Sequence, residues 1–111
     1  MARFLLLVAL AVALMSRTAE AYRLLGPGGT SCGSWSEDRL TDIGLYQIDV
    51  AWVLGFLTAV GYMGEGGSEH LNPLGGLDSP AVAAWVDNYC QTHPLDDIQA
   101  AAKAFIDAHP R

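Results

Sequence analysis

This sequence predicts a small all-α domain closed by one disulfide, and three observations carry that expectation. Apolar residues recur at steps of three and four and alternate nowhere. Helix start and stop signals cut that pattern into separate pieces. Two cysteines, and only two, stand at Cys32 and Cys90, near the two ends of the patterned region. The predicted architecture is a bundle of three main helices plus a short N-terminal helix. No second domain and no internal repeat is visible.

Residues 1–21 are expected to be a signal peptide. Arg3 gives a positive start, residues 4–15 are uninterruptedly apolar, and Ala19-Glu20-Ala21 has the small-x-small form of a cleavage site. A membrane anchor would need about 20 apolar residues, and this run is shorter. Cleavage after Ala21 would leave four cationic side chains, Arg23, Arg39, Lys103 and Arg111, against eleven carboxylates, a formal charge of −7. That balance argues against nucleic acid, which is gripped through clustered Lys and Arg. It argues equally against anionic lipid and allows a basic protein partner. In an exported chain two cysteines most simply pair with each other. The chain-entropy model values such a loop at roughly 4 kcal/mol.

Residues 22–31 read as an extended lead-in, because Gly26-Pro27-Gly28-Gly29 cannot hold a helix or a long strand. The helical domain is expected over residues 32–109. Ser34 and Glu37 fit a capping box for a short helix through about residue 40, with Trp35 as its core anchor. Thr41 and Asp42 can cap the next helix, over residues 43–63. Ile48, Ala51, Trp52, Gly55, Ala59 and Tyr62 recur on one of its faces, and Val50, Val53, Leu54, Leu57 and Val60 on the adjoining one. Apolar nearly all round, it is expected to be central and packed on several sides. A close helix crossing would offset the cost of Gly55. Residues 64–77 form a long loop with no phosphate-binding signature.

Ser79 and Pro80 start the next helix as cap and first residue. Its stripe of Val82, Trp85, Val86, Tyr89 and Cys90 aims Cys90 inward. Pro94 stops it near Thr92 and opens the last helix, with Asp96 and Asp97 in the first turn. Leu95, Ile98, Ala101, Ala102, Phe105 and Ile106 form the buried face of that helix.

No catalytic or metal-binding constellation is expected, and no cofactor. Cys90 and His93 stand three apart, but a zinc site needs further ligands and Cys32 is available to Cys90. His93 reads as a helix-corner residue bonding backbone groups, and His70 and His109 as solvated. Trp35, Trp52 and Trp85 read as core. Glu65 and Glu69 form only a weak acid/base pair. The protein is therefore read as non-enzymatic.

Four segments carry a resemblance: Cys32-Gly33-Ser34-Trp35, Ala51-Trp52-Val53-Leu54-Gly55-Phe56-Leu57, Trp85-Val86-Asp87-Asn88-Tyr89-Cys90 and His93-Pro94-Leu95. They resemble a group of small exported bacterial proteins that includes the HdeA/HdeB acid-stress chaperones and the Tai-type immunity proteins of type VI amidase effectors. The resemblance is nearer to the immunity-like branch. It implies an all-α periplasmic domain with a Cys32–Cys90 disulfide, often dimeric. An immunity protein would block a secreted cell-wall amidase, with Glu65, Glu69 and His70 on the long loop as the partner-binding residues. The alternative is an acid-activated holdase that loosens as its carboxylates protonate. Neither function calls for a membrane span in the mature chain.

Overall fold

The computed structural model describes residues 1–15, 22–65 and 71–110. The expected cleavage site at residues 19–21, and Glu69 and His70, lie outside them. Five α-helices are described: α1 (Ala2–Met15), α2 (Cys32–Thr41), α3 (Ile43–Glu65), α4 (Ser79–Thr92) and α5 (Ile98–Ala108). Among the described residues there is no strand, only an isolated antiparallel bridge between Ser31 and Asp97. The all-α class is as the sequence predicts, with α2 the short first helix and α3, α4 and α5 the three main ones.

The core is small. Cys32, Trp35, Val53, Leu57, Val82, Val86, Cys90, Ile98, Ala101, Ala102 and Phe105 make it up, drawn from all four helices after α1. Cys32 and Cys90 form the disulfide, 58 residues apart in sequence with their Cα atoms 4.8 Å apart. It joins the first residue of α2 to the last turn of α4.

One helical turn further along the same seam lies Asp87, which is buried. The Trp35 indole Nε1 donates to its Oδ1 at 2.7 Å, and the Tyr46 hydroxyl donates to the same oxygen at 3.1 Å. The Arg39 guanidinium sits 3.3 Å from Oδ2. Trp35 and Tyr46 also meet edge to face, 5.2 Å apart. A buried carboxylate is costly unless paired and hydrogen-bonded, and here α2 and α3 supply the partners. Burial, with the Asp87 carboxylate alongside, pushes the Tyr46 hydroxyl up to about 12, so it stays a donor.

The start of α2 and the corner between α4 and α5 satisfy each other. The first amides of a helix have no partner within it. Cys32 N donates to Asp96 O at 2.7 Å and Gly33 N to Pro94 O at 3.0 Å, while Ile98 N at the start of α5 donates to Thr30 O at 2.9 Å. Two helix N-termini thus meet, and Asp96 and Asp97 bring the negative charge that such ends favour.

Several boundaries differ from the sequence reading. The cap of α2 is Ser31, whose hydroxyl accepts from Ser34 N at 3.1 Å, so the capping box at Ser34 and Glu37 does not form. Asp78 caps α4 in place of Ser79. Pro94 lies in a turn closed by Asp96 N donating to His93 O, and α5 starts later, capped by Asp97. Leu95 is accordingly 97% exposed and contributes nothing to the buried face of α5. The lead-in is not extended throughout. Pro27–Gly29 forms a 3-10 turn against Trp52, whose indole donates to Leu25 O at 2.9 Å. A Cβ on Gly28 would stand 2.3 Å from the Trp52 ring, so only glycine fits there.

Three outcomes are expected. Cys90→Ser should lower stability by roughly 4 kcal/mol, and the intact unreduced protein should weigh less than its sequence mass by the two thiol hydrogens. Asp87→Ala should cost about 3 kcal/mol, because it strands the Trp35 and Tyr46 donors and the Arg39 charge. Urea denaturation followed by tryptophan fluorescence measures the two losses of stability, and mass spectrometry the missing hydrogens.

Candidate functional site

Helix α3 is where structure and expectation part most. It is not central. Only 17% of its most apolar 18-residue window is buried. Val53 and Leu57, on the second of the two faces named above, turn inward with Asp49 beside them, and Val50, Leu54 and Val60 are half-buried. The face through Ile48, Ala51, Gly55, Ala59 and Tyr62 points outward, with Trp52 half-covered by the 3-10 turn. Ile48 is 56% and Tyr62 75% exposed. The physical reason is size: α2, α4, α5 and the 3-10 turn can cover one side of a 23-residue helix, and nothing in the described chain covers the other.

This outward face has a particular chemistry. Residues 50–63 contain no charge. Ala51, Gly55 and Ala59 form its middle at steps of four, so the backbone there is unusually accessible. A Cβ on Gly55 would touch nothing within 4 Å, which removes the close crossing expected at that glycine. Beside this face lies a shallow cleft of about 310 Å³ between α3 and α4, lined by Tyr46, Val50, Ala51, Leu54, Pro80 and Ala83 among others, and almost wholly apolar. In general, contiguous exposed apolar surface is found at protein, membrane or ligand contacts. Asp42, just before α3, and Asp78, just before α4, are exposed.

The loop assigned to partner binding is partly visible. Glu65 is the last residue of α3, so the helix extends into the segment read as loop. Residues 71–77 turn back tightly, with Gly75 N donating to Asn72 O and Leu77 N to Leu74 O. Pro73 is fully buried and Leu74 packs on the core. A cleft of about 500 Å³ lies between this turn and α3, lined by Leu57, Thr58, Gly61, Tyr62, Leu71, Asn72 and Leu74.

The polar side chains elsewhere serve the fold. His93 sits at the helix corner as expected, its Nδ1 2.8 Å from Tyr89 O and its ring stacked on Tyr89 at 4.0 Å. His109 is not simply solvated. Its Nδ1 lies 2.9 Å from Phe105 O, and its ring stacks on Phe105. The Tyr89 hydroxyl donates to Asp96, and that bond first, then burial, pushes the tyrosine up to about 12. Asp42, Asp78 and Asp97 cap helices. Of the tryptophans, Trp35 is fully buried and Trp52 and Trp85 are half-buried against the core. Among the described residues no cluster of three or more His, Cys, Asp or Glu could hold a metal ion.

Sequence reading overlooked the outward face of α3 and two buried acids, Asp49 and Asp87. Both acids could have been found. Asp49, Val53 and Leu57 share one spacing of four, and Asp87 lies between the inward residues Val86 and Cys90.

No family model matches the chain, and no curated protein or solved structure matches it significantly.

Gly55→Ala is the direct check on the outward face. Because the new methyl meets only solvent, it should stabilise the domain by about 0.5–1 kcal/mol. A destabilised variant would mean that a helix of the chain packs there.

Proposed function

We propose that this is an exported, non-enzymatic binding domain that acts on a protein partner through the outward face of α3. The single observation carrying the reading is that face: uncharged over residues 50–63, apolar, and left open by the fold. The disulfide supports an oxidising compartment, and the expected signal peptide with the four-segment resemblance points to the periplasm. The occupant is a folded protein presenting an apolar ridge with basic flanks. Its ridge would lie along Ile48, Ala51, Gly55 and Ala59, and its basic groups near Asp42 and Asp78. A secreted cell-wall amidase is the partner class that the resemblance implies. Glu65 ends the same helix, and Glu69 and His70, the other partner-binding residues that the resemblance implies, follow it in sequence.

Three other occupants fit less well. A second copy would bring together two chains that each carry a net formal charge of −7 after the expected cleavage. The same charge opposes anionic lipid. A membrane span is disfavoured by the disulfide. Helix α3 is long and apolar enough to cross a bilayer. However, Cys32 and Cys90 must stay on one side of it, and the return would fall to α4. That helix has 14 residues, about 21 Å, and carries Asp87, whereas the hydrocarbon core is about 30 Å thick.

The test is affinity capture by the mature domain at pH 7, in parallel with Ala59→Glu. That variant places a charge mid-face without touching the core. The expected result is one stoichiometric partner held by the wild type and lost by the variant, with both melting alike. A wild-type dimer that Ala59→Glu dissolves, or binding to anionic vesicles, would assign the face to a different occupant and overturn the reading. Capture of many proteins, only below about pH 4 where Asp and Glu protonate, would support the acid-holdase alternative instead.

A further inference from the structure

Asp49 plays no part in the reading above and is not used in the Asp87 network. It lies on α3, 5% exposed, and its Oδ2 is buried without a hydrogen-bond partner among the described residues. A buried polar atom left unpaired is uncommon and calls for an explanation. Its surroundings worsen the position of the charged form. From α2, Asp38 bears on it with like charge. The next residue, Arg39, could neutralise it but is engaged with Asp87. Helix α4 brings only Asp87, which is already paired. The charges of α5, Lys103 and Asp107, are exposed, and the 3-10 turn carries none.

We propose that Asp49 makes this domain acid-hardened: the folded chain takes up a proton there in mildly acidic medium, so stability rises as pH falls from neutral toward 5. The neutral acid loses the burial penalty and the repulsion from Asp38. Desolvation first, then Asp38, pushes Asp49 up to about 6 in the fold, against 3.8 for a free aspartate. The folded state therefore binds this proton more tightly than the unfolded chain does. The stabilisation is fully present below the unfolded value and is lost as pH rises through about 6. This is opposite in sign to the acid loosening that an acid-activated holdase requires. It is independent of which partner α3 binds.

The experiment is a melting series of the mature, disulfide-intact domain between pH 7.5 and 5, beside Asp49→Asn. The wild type should gain roughly 5 °C or more on acidification. Asp49→Asn, already neutral, should lose most of that slope. A wild-type melting point that is flat or falls over this range would overturn the proposal, and so would a variant that keeps the full slope. Should the variant fold poorly, carboxyl-carbon NMR titration of Asp49 in the wild type decides. A midpoint near 6 is expected, and one near 4 would overturn the inference.

Discussion

The seam between α2 and α4 is the constraint on which the rest of the structure depends. It has a covalent end, Cys32–Cys90, and a polar end one turn away, where Asp87 receives Trp35 and Tyr46 and faces Arg39. The covalent end limits how far the chain can spread when unfolded. The polar end specifies how the helices meet, because only one rotation of α2 brings both Trp35 and Arg39 to the carboxylate. Tyr46 carries the same requirement to the first turns of α3. A core of this modest size gains specificity from such a satisfied network, and cross-linking helps small exported domains generally.

With α2, α4 and α5 held together in this way, the position of α3 follows. Its first turns are tied to Asp87 through Tyr46, and its middle is covered on one side by the 3-10 turn at Trp52. What remains is a long helix with too few neighbours for its apolar surface. The uncompensated Gly55 and the cleft of about 310 Å³ beside it are consequences of the same shortage. Apolar surface of this extent is costly to leave open to water.

Much of this fold was legible in the sequence because helical periodicity and cap chemistry are local. The end of α4 at Thr92, the inward stripe of Val82, Val86 and Cys90, and the burial of Trp35 all follow from spacing. Helix starts differ by one to three residues where two capping side chains compete, as with Ser31 against Ser34 and Asp78 against Ser79, and by four at α5, where Pro94 lies in a turn. The burial of α3 was misjudged for a different reason. Periodicity reports which faces are apolar, not how many neighbours exist to cover them, and that number depends on the whole chain. The acids Asp49 and Asp87 carry no burial signal of their own, since carboxylates are ordinarily exposed. The indole of a buried tryptophan needs an acceptor, and Trp35 could have pointed to Asp87.

The account rests most heavily on α3 facing outward to meet another protein. Site-specific photo-crosslinking in the native compartment tests this directly, with a photoreactive residue at position 59 on that face and, as control, at exposed Asn88 on α4. One dominant heterologous adduct from position 59, and none from position 88, is the expected result. No adduct from position 59, or the same adducts from both positions, would contradict it.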